Sequence, residues 1–305
     1  MSNITIITCY VRGTHEMMSA CLSAIQRHTK EPADIIVAAQ EGNLDQGLFD
    51  TVECFQDDPW PIRVIEVPNS CIRKGREHGS ILDQVVAYEV SAPYVLTLDS
   101  DAIPLMDCWL RKLYIMLDSY HGVCTTGILH PWAPPPSNMR RELIEWRVRS
   151  QHCWETTHVA CQLISTRDVG EMRMQGIGFA DGDDTGLGMV KKMKEEWGLK
   201  CMGYKPTRCP KPAVEFDAEF NRYSCVVFGD AVVHIGGHTR VTVDGDDAVF
   251  NKAFGWAAEK VLEDGGAEFL LEEEHAYIYQ LNREEEVSQE KMQRLFGLES
   301  QRMKA

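Results

Sequence analysis

The N-terminal third of the chain alternates two kinds of apolar pattern, and that alternation restricts the fold more than any other feature. Ile4-Thr5-Ile6-Ile7-Thr8 is a short β-branched run, as expected of a strand buried on both faces. Met17/Met18, Cys21/Leu22 and Ile25 then recur at helical spacing. Residues 34–38 and 62–67 repeat the strand pattern, Ile81/Leu82, Val85/Val86 and Glu89/Val90 the helical one, and Tyr94-Val95-Leu96-Thr97-Leu98 closes the series as a fourth strand. Strands alternating with helices imply right-handed crossovers and a mostly parallel sheet. At 305 residues, the chain can bury one large α/β domain or two smaller ones.

The pattern changes beyond residue 101. His130-Pro131-Trp132-Ala133-Pro134-Pro135-Pro136-Ser137-Asn138 cannot be regular structure, because successive prolines lack N–H donors; it reads as a loop or lid. Residues 159–165 read as a strand. The Gly- and Asp-rich run 176–184 leads into a helix with Leu187, Val190, Met193 and Trp197 on one face, closed by Gly198. Residues 226–228 and 231–235 are further strands. From about residue 246 the chain reads as helical and acidic, with Glu272–Glu274 and Glu284–Glu286 as solvated faces. There is no internal repeat.

Several functional classes are disfavoured or excluded. The net charge of −15 supplies no positive field to draw in nucleic acid or an anionic membrane. Apolar residues at 44% and charged residues at 25% are globular values that rule out wholesale disorder. No apolar run is long enough to span a bilayer, and the first residues lack a basic secretory leader. The eleven cysteines are scattered and odd in number, and Cys9, Cys21 and Cys161 sit inside apolar patterns. That usage points to reduced thiols and a cytoplasmic location. The turn after the first strand carries no G-x-G-x-x-G, and neither a P-loop nor a G-x-S-x-G elbow is present.

The feature closest to chemistry is Leu98-Asp99-Ser100-Asp101. Ligands of open parallel sheets bind beyond the carboxyl ends of the strands. Two carboxylates one residue apart, leaving a strand there, can both reach a hard divalent cation, and such a cation commonly holds substrate phosphates as well. An ordinary Asx turn is the plain alternative.

The order of these segments resembles the GT-A glycosyltransferases, above all the family-2-type enzymes. The residues that carry the resemblance are the opening strand with Cys9-Tyr10-Val11-Arg12, the second strand, the run 92–101 ending in Asp99-Ser100-Asp101, and Gly178-Phe179-Ala180-Asp181-Gly182-Asp183-Asp184-Thr185 with the helix and apolar return that follow. It spans roughly residues 3–240. It implies one GT-A-like α/β unit with a single Rossmann-like nucleotide-sugar-binding sheet: a donor nucleotide-binding half at 1–101, an acceptor half at 102–240 and a C-terminal helical extension at 241–305. It also implies transfer of a sugar from a nucleotide-sugar, a UDP-sugar first, to a hydroxyl acceptor, with Mn²⁺ or Mg²⁺. Asp99 and Asp101 would hold the metal and donor, and Thr8, Cys9, Tyr10 and Arg12 would line the nucleotide pocket. Gln40 or Glu41 would stand where many members carry an acid that meets the base. From the basic cluster Arg73, Lys74 and Arg76, Arg76 would reach the donor. His234, with His238 next, would complete the metal site, and Arg240 would contact the diphosphate.

Asp183 or Asp184 would take the acceptor proton as general base, giving inversion, while an N-cap role at the following helix is equally compatible with that position. A zinc site among His152, Cys153, His158 and Cys161 lacks a paired C-x-x-C, and Cys161 reads as core. Two rivals differ in kind: a nucleotidyltransferase, for which Val11-Arg12-Gly13-Thr14 is a poor basic loop, and a non-catalytic binding module. The acceptor is open. The charge weighs against a nucleic-acid base, although Arg140, Arg141, Arg147 and Arg149 could face a phosphate-bearing one.

Overall fold

The computed structural model describes residues 2–130, 156–182, 185–204, 206–208, 225–229 and 231–235. The first four strands are β1 (Ile4–Tyr10), β2 (Ala33–Gln40), β3 (Ile62–Val67) and β4 (Tyr94–Leu98), connected through α1 (His15–His28), α2 (Gln46–Glu53) and α3 (Glu77–Tyr88). There follow β5 (Ala102–Pro104), α4 (Trp109–Ser119), β6 (Val123–His130), β7 (Thr156–Ser165), α5 (Thr166–Met174), α6 (Leu187–Trp197), β8 (Lys200–Tyr204), β9 (Pro206–Arg208), β10 (Cys225–Phe228) and β11 (Val232–Ile235).

A seven-stranded sheet runs in the order β3-β2-β1-β4-β7-β6-β8. The pairs β3/β2, β2/β1, β1/β4 and β6/β8 are parallel. β7 is antiparallel to both its neighbours, so the sheet is mixed rather than simply parallel. A small antiparallel sheet, β5-β11-β10-β9, stands beside it. The α/β class and single main sheet read from the sequence are those observed.

The core has two layers because successive strand residues point to opposite faces. Ile6, Ile35, Val37 and Leu96 pack on one side with Leu22, Ile25 and Trp109. Ile7, Ile36 and Val95 pack on the other with Leu82, Val85, Val86, Phe179 and Met189. Burying each such side chain contributes about 1.5–3 kcal/mol. Cys161 lies in the core as its setting predicts, but Val159 joins the opposite layer, where the β6/β7 register shifts between Gly127 and Leu129. α3 ends at Tyr88, so Glu89 is its C-cap, paired on the surface with Arg63.

Asp183, Asp184, His238, Arg240, the stretch 131–155 with its prolines, tryptophans and arginines, and the extension 241–305 lie outside the described residues.

Candidate metal centre

β1 leads outward to β2 and β3, and β4 then returns to the other side of β1. The chain order reverses at that point, and the crevice beyond the strand ends there is where open α/β sheets take ligands. Its lip is formed by the end of β1 and by Asp99-Ser100-Asp101. The Asp99 N–H donates to the Ala160 carbonyl (3.0 Å) and the Ala102 N–H to the Asp99 carbonyl (2.9 Å). This tight turn carries Asp101 inward, where it is 6% exposed. The chain then enters β5, and β5 pairs with β11 so that Ala102 lies opposite His234. That register delivers the histidine. One ligand atom each from Asp99, Asp101 and His234 lies within 4.8 Å of the others, and His234 Nε2 is 3.5 Å from Asp101 Oδ1.

Asp101 Oδ1 is fully buried and has no hydrogen-bond donor. An orphaned buried acceptor costs about 1–3 kcal/mol, more when charged, and a cation between these three side chains would remove that cost. Two carboxylates and an imidazole form an oxygen-rich donor set of the kind divalent ions accept. The residues therefore fit a metal.

Burial pushes the nearby Cys9, Cys21 and Cys161 thiols well above their usual range, with the negative charge of Asp101 and Asp99 adding to it at Cys21 and that of Asp99 at Cys9 and Cys161. Two further histidines border the cluster. His78, in the first turn of α3, has Nε2 3.3 Å from Asp99 Oδ1. The His158 ring lies 5.6 Å from that of His234, tilted by 38°. His158 Nδ1 accepts the Ala160 N–H (3.1 Å), so a neutral His158 carries its ring proton on Nε2.

The sequence-derived nucleotide contacts are placed unevenly. Thr8 is buried, Cys9 half-buried and Arg12 exposed. Tyr10 is 1% exposed and donates its hydroxyl to both Asp45 oxygens (2.8 and 2.9 Å). Asp45 in turn caps α2 through the Leu48 N–H and accepts the Gly13 N–H. Tyr10 thus braces the turn after β1, because a buried phenol takes the nearest strong acceptor. Gln40 donates to Asn69 Oδ1 (2.7 Å), and Glu41 accepts the Asn69 N–H (2.9 Å). Arg76 is exposed at the start of α3.

The Gly/Asp-rich loop is seated on α3. Asp83 accepts the N–H groups of Phe179 (2.8 Å) and Ala180 (3.1 Å). Asp181 accepts the Gly178 N–H (2.7 Å) and pairs with Arg73 (2.7 Å). A Cβ at Gly79 would come within 2.6 Å of the Ala180 Cα, so the helix and loop backbones touch. A cavity of about 210 Å³ beside α3 includes Arg73, Ser80, Asp83 and Arg173 in its lining but none of the three cluster residues. Sequence reading missed His78, Asp83 and His158 as neighbours of the site; His78 falls one turn before Ile81/Leu82, a spacing that could have placed it.

No protein-family model matches the chain, and no curated protein matches it. Among solved structures the chain is similar to glucosyl-3-phosphoglycerate synthase from Mycobacterium tuberculosis. One structure of that protein, with Mn²⁺, uridine diphosphate and phosphoglyceric acid, shares 14% identity at a TM-score of 0.47 over 67% of this chain and 68% of that one. Another, with Mn²⁺, UDP-glucose and phosphoglyceric acid, shares 15% at 0.47 over 67% and 69%. Staphylococcus aureus TarS (residues 1–349) shares 15% at 0.42 over 66% and 58%. The chain has a mixed α/β architecture, one main sheet with an Asp-x-Asp pair at the lip of its switch-point crevice.

Proposed function

We propose that the chain is a metal-dependent glycosyltransferase that moves a sugar from a nucleotide-sugar, most simply a UDP-sugar, to a hydroxyl acceptor with inversion. The observation that carries this reading is the buried, donor-less Asp101 oxygen facing His234 beside Asp99, at the crevice where α/β sheets take nucleotides.

Asp99, Asp101 and His234 hold the divalent ion, and the imidazole tilts the preference from Mg²⁺ toward Mn²⁺. When bound, that ion offsets the negative charge of a departing nucleoside diphosphate. Thr8, Cys9, Tyr10 and Arg12 border the nucleotide, Gln40 or Glu41 meets its base, and Arg76 and Arg240 offer guanidinium donors to phosphate oxygens. Asp183 or Asp184 accepts the proton of the attacking hydroxyl. The free described cysteines support a reducing, cytoplasmic setting.

The test is incubation of the full chain with UDP-, GDP-, CDP-, ADP- and dTDP-sugars and Mn²⁺, with the released phosphates identified. Release of one nucleoside diphosphate, abolished by Asp101→Ala, supports the reading. Release of pyrophosphate from a sugar phosphate and a nucleoside triphosphate would make the chain a nucleotidyltransferase. Failure of every nucleotide to bind would make it a scaffold.

A further inference from the structure

Two backbone bonds fix the main chain of Asp99, but its carboxylate lies within 4.8 Å of that of Asp101, and like charges at that distance push apart. Among the described residues the Asp99 carboxylate receives no hydrogen bond, and its ion-pair partner is His78, with Nε2 3.3 Å from Oδ1. The two side chains are 32% and 24% exposed, so the contact is partly shielded from water.

His78 is itself held rigidly. The next residue, Gly79, abuts the backbone of Phe179 and Ala180 with no room for a Cβ. Ser80 Oγ donates to the Arg76 carbonyl (2.8 Å) and accepts the Arg73 N–H (3.1 Å). Ile81 and Leu82 lie in the core. The first turn of α3 therefore cannot slide, and it holds the imidazole against Asp99 Oδ1, outside the three groups that converge on the cluster.

We infer that His78 is a positioning residue for Asp99: by drawing Oδ1 toward α3 it sets the direction in which the carboxylate offers its oxygens to a cation shared with Asp101 and His234. The inference rests on the metal-dependent reading above and adds to it a residue outside the ligand set. Partners that orient a ligand are commonly worth 10–100-fold in metal affinity.

The experiment is a Mn²⁺ titration of the full chain, with free Mn²⁺ followed by electron paramagnetic resonance, on the wild type and on His78→Ala, His78→Gln and His78→Phe. Tyr88→Ser, an exposed change at the other end of the same helix, is the control. His78→Ala and His78→Phe should weaken Mn²⁺ about 10–100-fold, at metal-free Tm values near that of the wild type. His78→Gln, which keeps an N–H donor, should recover part of the loss, and Tyr88→Ser should lose nothing. The Phe variant keeps the ring's bulk, so it decides the matter should the Ala variant unfold. Wild-type affinity in a folded His78→Phe or His78→Ala protein would overturn the inference while leaving the metal site intact. A wild type that binds no Mn²⁺ would instead overturn the metal reading itself.

Discussion

His234 stands 3.5 Å from Asp101 because a single pairing in the minor sheet sets Ala102 of β5 opposite His234 of β11. The two carboxylates leave the main sheet at the end of β4, and the histidine arrives from a strand of the other sheet. The centre is therefore assembled where the two sheets meet, from segments far apart in sequence.

Asp101 Oδ1 is buried without a hydrogen-bond donor, with the His234 imidazole 3.5 Å away, and such an oxygen is a cost to the metal-free fold and an asset once a cation is present. Asp101→Asn should therefore leave the metal-free Tm unchanged or raise it, and should abolish the Tm rise produced by Mn²⁺. At a hundredfold excess over Kd that rise corresponds to roughly 2.7 kcal/mol in the wild type. Differential scanning fluorimetry with and without Mn²⁺ checks this. A metal-free Asp101→Asn protein of much lower Tm would show that the carboxylate has a structural partner instead.

Gly79→Ala should destabilise, although alanine favours helices by about 1 kcal/mol over glycine. The added Cβ meets the Phe179 carbonyl and the Ala180 backbone at 2.6 Å, and backbone cannot rotate away as a side chain can. Overpacking of this kind costs about 1–3 kcal/mol, so the net change should be a lower Tm with faster amide exchange at Phe179 and Ala180. A rise in Tm would mean that the loop is not pressed on α3.

Burial pushes the Asp83 carboxyl above its ordinary 3.8, and the Phe179 and Ala180 N–H groups offset this only in part. A folded-state value above the unfolded one means that the folded protein binds more protons between the two. Stability from this group is thus full below 3.8 and declines as pH rises through the folded value. Denaturant titrations of wild type and Asp83→Asn from acid to neutral pH should show the wild type losing ground to the variant as pH rises through that window. A difference that grows in the wild type's favour would contradict the shift.

Cys124 and Cys201 sit at the β6/β8 pairing. The Thr125 hydroxyl donates to Cys201 Sγ (3.2 Å), and the neighbouring Cys124 and Thr125 together hold the Cys201 thiol below its usual range although it is half-buried. Iodoacetamide at neutral pH should therefore modify Cys201 before half-buried Cys9 and before buried Cys21 and Cys161, whose thiols are pushed up, as read by peptide mass spectrometry. Cys124→Ala should slow that modification about tenfold. An unchanged rate would show that Cys124 does not hold the Cys201 thiol down.

The sequence displayed β1 to β4, α1 and α3 because each is a short uninterrupted or strictly periodic apolar run. Asp99 and Asp101 were legible because the strand before them ends so cleanly. α2 was not: only Leu48 and Thr51 of its eight residues are buried, too few to set a period. The antiparallel direction of β7 was not readable either, since a strand buried on both faces shows the same apolar run whichever way it points. The Tyr10–Asp45 bond was not readable because Asp45 lies on the next crossover, where only the fold brings the phenol and the carboxylate together. His78 and Asp83 escaped notice for a similar reason: their partners are a loop and a strand tip contributed by other parts of the chain.

A cation gripped by Asp99, Asp101 and His234 that in turn holds a nucleoside diphosphate makes nucleotide binding depend on the metal. Calorimetric titration of the full chain with UDP, in Mn²⁺ and in EDTA, for wild type and Asp101→Asn, measures that dependence. UDP should bind the wild type only when Mn²⁺ is present and should not bind the variant in either buffer. Equal UDP binding in EDTA, or undiminished binding by Asp101→Asn in Mn²⁺, would contradict it.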